Sequence, residues 1–293
     1  MQISVAKSQS LNPAHTRKQT PFGQGPNIES KTPLRWAGSK KKIINELARR
    51  VPEKYNRYIE PFCGSACLHF KLQPEKSILS DINPDLINFY KVWRKLPGKL
   101  FDMASSIPRD AANYYNLRSK VYPDGATIKR AVRFFYLNRL CFNGVYRTNN
   151  SGRFNVPMGK NTGDFPGRDD FIRASKSISR ADILCCQYRH SLKLASVGDF
   201  IYLDPPYATF GVSNRGEYGP KSFQSTDMPD LLRLLSECET RGASFMLSYS
   251  NSPDLIKHAK QQAWNVSKIK VLRNVAGFSA DRNTVNELII SNY

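Results

Sequence analysis

The chain has 293 residues and a net charge of +20, which allows one large α/β domain with a smaller insertion and favours a polyanionic partner such as nucleic acid. No apolar run approaches about 18 residues and no hydrophobic signal core lies at the N-terminus, so we expect a cytoplasmic protein with no membrane partner. The six cysteines include no Cys-x-x-Cys pair and the four histidines are scattered, so we expect reduced thiols and no metal site.

Residues 1–31 are predicted to form a flexible, basic tail. They mix Ser, Gln, Pro, Gly and Asn with few apolar groups, so burial cannot offset the entropy of ordering them. Residues 1–32 carry only four basic side chains and one acidic one, so most of the positive charge belongs to the rest of the chain. A charge surplus that serves solubility alone is the alternative to a nucleic-acid surface.

The first predicted helix follows a basic segment, residues 33–40, with the sequence Pro-Leu-Arg-Trp-Ala-Gly-Ser-Lys. Its apolar residues recur at helical spacing: Ile43, Ile44, Leu47 and Val51. A lysine at a helix N-terminus is repelled by the positive end of the helix dipole, so Lys40 indicates a bound anion. The alternative is a basic turn that is exposed to solvent.

The next two predicted strands end in residues that are suitable for binding a nucleoside. Residues 58–68 pass from a short strand into small residues and a helix, although Gly64 is the one glycine in this loop. The next predicted strand ends in Asp81, seventeen residues after Gly64, a spacing that suits a carboxylate accepting two ribose hydroxyls. Asn83 and Asp85 are alternatively caps of the following helix.

A long insertion, residues 93–185, holds much of the positive charge, and residues 109–176 contain thirteen lysines and arginines and five aspartates. A helix is predicted from apolar residues on one face: Ile128, Val132, Phe135, Tyr136 and Leu140. Its basic residues lie mostly off that face: Lys129, Arg130, Arg133 and Arg139. We therefore expect a basic helix face that contacts phosphates.

Within the insertion, residues 141–159 are predicted to form a β-hairpin. Two β-prone runs flank the polar segment Thr-Asn-Asn-Ser-Gly, which is typical of a flexible hairpin tip. Arginine and asparagine near such a tip suit DNA readout, because each can bind a base edge through two hydrogen bonds. The alternative is a surface hairpin with ordinary turn residues.

An apolar run at 199–203 ends abruptly in Asp-Pro-Pro-Tyr, which predicts a buried strand followed by a stiff turn. The turn would present the Asp204 carboxylate, the Pro205 carbonyl and the Tyr207 ring at the sheet edge where open α/β folds bind ligands. Two acceptors and a ring suit an exocyclic amino group on a flat heterocycle. The alternative is a strand end with a solvated acid.

The remaining chain is predicted to complete the sheet. The glycine-containing segment 210–225 is expected to close over a substrate, and Thr226 and Asp227 to cap a helix that carries several leucines. Further strands are predicted at 244–250 and 287–291. Four basic residues near the C-terminus either contact phosphates or are solvated: Lys268, Lys270, Arg273 and Arg282.

Taken in order, these motifs resemble those of the Dam-type DNA adenine N6-methyltransferases. Segment 34–40 is similar to motif X of that family, 58–68 to motif I, and 204–207 to the motif IV signature of amino-group methyltransferases. The resemblance extends from about residue 33 to the C-terminus. The sequence departs from the family pattern at four positions. In motif X, Ser39 stands where the family usually has a second glycine. In motif I, the loop of small residues is altered at Cys63, Ser65 and Ala66.

The resemblance implies the α/β, Rossmann-like fold of methyltransferases that use S-adenosylmethionine (SAM), with a mostly parallel seven-stranded sheet and an inserted helical and β-hairpin DNA-recognition domain. The SAM-binding catalytic domain would comprise 32–92 and 186–293, and the target-recognition domain 93–185. The implied function is site-specific methylation of the N6 amino group of a flipped-out adenine in duplex DNA, with a GATC-like target. We also expect a monomer.

The resemblance also assigns roles to individual residues. The catalytic set is Asp204, Pro205, Pro206 and Tyr207. The cofactor-binding set is Trp36, Lys40, Phe62, Gly64, Asp81 and Asp204. The DNA-binding set is Arg35, Asn143, Arg147, Arg153 and Lys160. In this assignment the anion at Lys40 is the methionine carboxylate of SAM.

Three alternatives remain open on the sequence. N4-cytosine methylation uses the same amino-group signature. Segments 142–147 and 154–157 argue against it, because they are similar to the hairpin of Dam-type enzymes. An RNA base methyltransferase generally lacks the upstream Trp-Ala-Gly-x-Lys motif and the insertion. A non-catalytic DNA-binding regulator that keeps SAM only as a structural ligand is at odds with the intact segment 204–207.

Overall fold

The structure is a computed structural model that describes residues 31–123, 125, 127–149, 151–160, 162, 164–207, 223–272 and 284–293. Three predictions lie wholly or largely outside these residues: the tail 1–31, the loop 210–225 and the contacts of Arg273 and Arg282.

Within the described residues, a seven-stranded sheet forms the centre of the fold, in the order β3-β2-β1-β4-β5-β7-β6. The strands are β1 (Tyr58–Glu60), β2 (Ser77–Asp81), β3 (Ala181–Cys185), β4 (Phe200–Leu203), β5 (Ser244–Ser250), β6 (Asn265–Leu272) and β7 (Thr284–Ser291). The first five strands in this order, from β3 through β2, β1 and β4 to β5, pair in parallel. Strand β7 is antiparallel to both of its neighbours, β5 and β6. The predicted mostly parallel seven-stranded sheet is confirmed.

The strand order creates a switch point between β1 and β4. The chain moves from β1 outward to β2 and β3 and then returns to the other side of β1 as β4. Helices leave in opposite directions at such a point, so a crevice opens at the carboxyl ends of the two strands. The carboxyl ends of β1, β2 and β4 therefore meet at one edge of the sheet.

Helices cover both faces of the sheet. They are α1 (Ile44–Arg49), α2 (Cys67–Leu72), α3 (Pro84–Lys95), α4 (Pro97–Ser105), α5 (Ala111–Ser119), α6 (Ile128–Leu140), α7 (Arg168–Ser175), α8 (Tyr188–Lys193), α9 (Met228–Thr240) and α10 (Pro253–Gln261). Short 3₁₀ helices occur at Lys40–Ile43, Phe142–Gly144, Lys176–Ile178 and Ser225–Asp227.

Alternating side chains of β4 divide the core into two clusters. Phe200 and Tyr202 point into an aromatic cluster with α3, α6 and α7, whereas Ile201 and Leu203 point into a cluster with α8, α9 and α10. A third, smaller cluster joins α5 and α6 to residues 154–156. A strand buried on both faces is apolar throughout, which explains the continuous apolar run at this position.

The structure confirms one predicted helix cap, at α3, and corrects another, at α9. Asn83 caps α3, since its Oδ1 accepts hydrogen bonds from the backbone N–H groups of Asp85 and Leu86. The predicted cap at Thr226 and Asp227 is wrong in detail, because Gln224 and Asp227 form a capping box around the 3₁₀ helix that precedes α9.

The predicted insertion is shorter than 93–185 at its C-terminal end. Strand β3 lies inside that range and pairs with β2 along its whole length, from Ser77 beside Ala181 to Asp81 beside Cys185. Its side chains alternate between buried and exposed, a pattern too short to stand out in the sequence. The other domain limits stay a prediction.

The predicted basic face of α6 is wrong for Arg130 and Arg133, although Lys129 is exposed. Arg133 is only 8% exposed, and its guanidinium donates to the carbonyl oxygens of Leu117 and Arg118 at the end of α5. The Nε of Arg130 donates to Asp85 at 2.5 Å. The helix is buried on most sides, so these arginines reach carbonyl and carboxylate groups of neighbouring helices and do not face solvent.

Candidate active site

A cavity of about 460 Å³ opens at the carboxyl ends of β1, β2 and β4. It is lined by all of the predicted catalytic and cofactor-binding residues: Trp36, Lys40, Phe62, Gly64, Asp81, Asp204, Pro205, Pro206 and Tyr207. Its volume is within the range of pockets that bind cofactors and drug-sized ligands, about 300 to 1,000 Å³. The fold therefore brings together three motifs that are distant in sequence.

Asp204 is held by two side chains from other elements. The Nζ of Lys40 lies 2.8 Å from both carboxylate oxygens, and the Oγ of Ser248 donates to Oδ1 at 3.0 Å. Burial raises the pKa of Asp204, whereas the Lys40 ammonium and the Ser248 hydroxyl lower it. The cation beside it favours the ionised form of this largely buried carboxyl.

Tyr207 and Pro205 complete the end of β4. The Tyr207 ring lies with its centroid 4.8 Å from the Nζ of Lys40 and packs edge-on against Tyr249 at 5.2 Å. Pro205 is buried and lines the cavity. Strand β4 ends at Leu203, one residue before the two prolines, which have no N–H to continue the sheet. The sequence-predicted turn thus presents a carboxylate and a ring to one cavity.

Asp81 and Gly64 meet on the β2 side of the cavity. Asp81 Oδ2 accepts from the Gly64 N–H at 3.1 Å, and its Oδ1 accepts from the Asn83 N–H at 2.9 Å. Burial raises the pKa of Asp81 to about 6, although these backbone donors oppose the shift. Gly64 has a φ of +44°, and a Cβ there would lie 2.7 Å from Trp36 Nε1. Only glycine fits this contact without strain.

The sequence patterns did not single out Glu60, Tyr202 or Ser248, which are all buried around the same site. Glu60 ends β1 and accepts a hydrogen bond from the Tyr58 hydroxyl at 3.0 Å, and burial raises its pKa well above the usual range. The rule that drew attention to Asp81 and Asp204, an acid at the end of a buried strand, would have identified Glu60 as well.

Lys40 has a different partner from the one its sequence position predicts. Its side chain is 8% exposed, and the ammonium group is paired with Asp204 and also donates to the Gly38 carbonyl at 3.2 Å. The dipole argument expects an anion at the start of this helix, and the structure supplies a carboxylate of the protein itself. A role in binding the carboxylate of the cofactor stays a prediction.

A sequence model of the D12 class N6 adenine-specific DNA methyltransferases matches residues 36–275. The chain belongs to this family of enzymes. It is 30% identical over 270 residues to a type II methyltransferase of Lactococcus lactis subsp. cremoris, covering 88% of this chain and 94% of that protein. It is 31% identical over 262 residues to a DNA adenine methylase of Serratia marcescens, covering 87% and 96%.

A third similar protein is a type II methyltransferase of Methanocaldococcus jannaschii, 30% identical over 292 residues, covering 91% of this chain and all of that protein. These matches confirm the predicted resemblance and its implied enzyme class. No helix in the described ranges combines the length and the apolar character needed to cross a membrane.

The predicted hairpin of this DNA methyltransferase is confirmed in part. Two isolated antiparallel bridges, Cys141 with Met158 and Thr148 with Phe154, join its sides, and the N–H of Asn149 donates to the Arg153 carbonyl across the tip. The bridges are too short to form regular strands. Asn143 lies at the base of the hairpin, in the 3₁₀ turn Phe142–Gly144, with a φ of +51°.

The predicted DNA-binding residues have different environments. Arg153 and Lys160 are exposed, as is Asn143. Arg147 is half-buried, and its Nε donates to Asn155 Oδ1 across the hairpin at 2.9 Å. This bond limits the directions that the guanidinium can take.

Arg35 is occupied by the protein itself in this structure. Its Nη1 donates to the carbonyl oxygens of Arg139 and Cys141, at 3.0 and 3.4 Å. A Cβ on Gly144, whose φ is +66°, would lie 2.5 Å from the Arg35 Cβ. Arg35 therefore joins the segment before α1 to the base of the hairpin, and DNA contact by this residue stays a prediction.

Proposed function

We propose that the protein transfers a methyl group from SAM to the N6 amino group of an adenine that is flipped out of duplex DNA. One observation carries the proposal: a single cavity contains Asp204, Pro205 and Tyr207 at the end of β4 and Asp81 at the end of β2. The first group suits an amino-substituted base, and the second suits the ribose of a nucleoside cofactor. Methyl transfer requires both ligands in one site.

The residues on the β2 side fit SAM. Asp81 has carboxylate oxygens that can accept hydrogen bonds from a ribose diol, and Gly64 allows the Trp36 ring to approach the backbone closely. Trp36 would form a wall of the site that can face a positively charged sulfur. When bound, SAM supplies a methyl group that its sulfonium has already activated.

Asp204 and Pro205 would prepare the amino group. Hydrogen bonds from the two amino hydrogens to the Asp204 carboxylate and the Pro205 carbonyl draw the nitrogen lone pair out of conjugation with the ring. Tyr207 would stack on the flipped base. Asp204 need not remove a proton before the methyl group arrives. Most of the rate enhancement would therefore come from positioning the amino group against the methyl donor. The amino hydrogens must share or replace the contact that Lys40 now makes with Asp204.

The net charge and the hairpin support duplex DNA as the substrate. The charge of +20 favours a polyanion, and the exposed Arg153 and Lys160 can contact phosphates. Flipping is needed because base stacking hides the amino group from a buried site. For the target, the resemblance to Dam-type enzymes supports a GATC-like sequence. We expect the enzyme to act as a monomer.

Incubation of the purified protein with methyl-labelled SAM and duplex DNA tests the proposal. After digestion to nucleosides we expect the label in N6-methyladenine, with little incorporation into RNA of the same sequence. Label in N4-methylcytosine, or no label in DNA, would overturn the proposed reaction. Sequencing the modified adenines of a mixed-sequence duplex tests the GATC-like target separately.

A further inference from the structure

Behind Asp204, two buried hydroxyl groups form a hydrogen-bonded chain with its carboxylate. The Tyr202 hydroxyl lies 3.1 Å from Ser248 Oγ, and Ser248 Oγ lies 3.0 Å from Asp204 Oδ1. Tyr202 is 2% exposed and Ser248 is fully buried. Both hydroxyls therefore exchange hydrogen bonds with protein groups and not with bulk water.

Strand pairing explains why these groups meet. In the parallel pair of β4 and β5, Tyr202 lies beside Met246 and Leu203 beside Leu247. The next step of this register brings Asp204, just past the end of β4, next to Ser248 on β5. The contact therefore follows from the register of two strands, with Asp204 directly after the end of β4.

The chemistry of the three groups fixes the direction of the chain. An ionised carboxylate can only accept hydrogen bonds, so Ser248 has to donate its single hydroxyl hydrogen to Asp204 and accept from Tyr202. The alternative acceptor for Ser248, the Leu203 carbonyl, is farther away at 3.4 Å. Burial raises the pKa of Tyr202 well above the usual range, so the phenol keeps the proton that it donates.

We propose that Ser248 and Tyr202 are positioning residues for Asp204, holding its Oδ1 from inside the sheet so that Oδ2 receives the amino group of the target base. Lys40 contacts both oxygens, but Oδ1 also accepts from Ser248. Oδ2 suits this role because its partner among the described residues is Lys40, whose flexible side chain can move away from it. The inference rests on the proposed function, since it assigns the acceptor of the amino group.

Charged and titratable groups from several elements surround Asp204. They are Lys40 on the 3₁₀ helix before α1, Glu60 on β1, Tyr202 on β4 and Glu287 on β7. None of them is changed by a substitution at Ser248. A change in the titration of Asp204 in a Ser248 variant therefore reports the lost hydroxyl donor, which favours the ionised carboxylate.

The first experiment compares Ser248→Ala, Tyr202→Phe and the double variant with the wild type in steady-state methyl transfer. We expect Ser248→Ala to lower kcat about 10-fold to 100-fold, with the KM values for SAM and duplex DNA within about twofold. Tyr202→Phe should have a smaller effect of the same kind. The double variant should be no slower than Ser248→Ala, because both act through one chain.

Ser244→Ala, at the opposite end of β5, is the matched control and should behave like the wild type. A wild-type kcat in Ser248→Ala would overturn the inference, as would fully multiplicative losses in the double variant. Tyr202→Phe removes a single oxygen atom, so it keeps the test usable if Ser248→Ala folds poorly. Thermal unfolding of each variant identifies that case.

A second readout does not depend on turnover. In ¹³C NMR titration of the aspartate carboxyl carbons, with Asp204 assigned by Asp204→Asn, the pKa of Asp204 should rise in Ser248→Ala and less so in Tyr202→Phe. An unchanged titration would overturn the inference even if the wild type methylated no DNA. Absence of N6-methyladenine from the wild-type reaction would instead overturn the proposed function.

Discussion

Three acids at the ends of neighbouring strands dominate the site at the scale of single residues. Burial raises the pKa of Glu60, Asp81 and Asp204, but each has a different partner. Glu60 faces a phenol, Asp81 faces backbone N–H groups, and Asp204 faces the ammonium of Lys40. Asp204 is thus the one of these three that is paired with a cation, which suits the acceptor of an amino group.

Asp204→Ala should abolish methyl transfer, with turnover reduced about 100-fold or more, because it removes the acceptor that prepares the amino nitrogen. Binding of SAM and of duplex DNA should persist, since other residues provide it. Methylation kinetics together with calorimetric binding check this. A variant that kept more than a small fraction of wild-type turnover would show that Asp204 has another role.

Asp81→Asn should weaken SAM binding by about 1.5 to 3 kcal/mol, the value of a charge-assisted hydrogen bond. With a pKa of about 6, Asp81 in the free protein is largely protonated at pH 5 and ionised at pH 7. The ionised form accepts ribose hydroxyls better, so SAM affinity should rise with pH across this range in the wild type and not in Asp81→Asn. Calorimetric titrations at several pH values measure both, and a shared pH dependence would contradict the assignment.

At the scale of elements, the arginines of α6 form hydrogen bonds to neighbouring helices, although their spacing in the sequence predicts a DNA-binding face. Arg133 bonds two carbonyl groups at the end of α5, and Arg130 bonds Asp85 on α3. Tyr146 of the hairpin also donates to Asp85, at 3.0 Å. The Asp85 carboxylate therefore joins α6 and the hairpin to the start of α3.

Arg133→Met should lower the free energy of unfolding by about 2 to 4 kcal/mol, because two carbonyl oxygens lose their charged donor. Lys129→Met, at an exposed position of the same helix, should change it by less than about 0.5 kcal/mol. Urea denaturation measures both. If Arg133→Met kept wild-type stability but weakened binding to every DNA sequence, Arg133 would be a phosphate contact after all.

Arg147→Ala should relax the preference at one base pair of the target by about 1 to 3 kcal/mol. Its bond to Asn155 orients the guanidinium, which suits readout of one base edge. The measurement is methylation of a library of single-base-substituted sites, with Arg153→Ala as the comparison at an exposed arginine of the same hairpin. An even loss across the library, with the ranking of sites unchanged, would place the sequence readout elsewhere.

At the scale of the whole molecule, the positive charge is spread over surfaces at different places in the fold. Lys160 is exposed just beyond the hairpin, whereas Lys268 and Lys270 are exposed on β6, an edge strand at the far end of the sheet from β3. Lysines on an edge strand discourage pairing with other chains. We therefore expect the lysines of β6 to be solvated and not to contact DNA.

The salt dependence of DNA binding distinguishes these surfaces. The logarithm of the binding constant should fall linearly with the logarithm of the salt concentration, and each lost phosphate contact should reduce the slope by about 1. Lys160→Gln should reduce the slope in this way, and Lys270→Gln should leave it unchanged. Fluorescence anisotropy at several salt concentrations tests the pair. Equal effects would assign β6 to the DNA surface.

The sequence by itself determined the features that depend on local chemistry. A proline pair ends a strand, which located the end of β4. An acid after an apolar run located the end of β2, and helical spacing of apolar residues located α6. The order of these motifs, with the resemblance that it carries, predicted the enzyme family and the parallel sheet.

Only the tertiary structure decided which groups the charged and hydroxyl side chains meet. Lys40 and Asp204 are 164 residues apart, and Ser248 reaches Asp204 through the register of two strands. Local patterns cannot distinguish an arginine that faces DNA from Arg133, which faces a buried carbonyl, because both lie off the apolar face of a helix. The partner of a long polar side chain depends on the packing of distant elements, and this packing determines the electrostatics of the site.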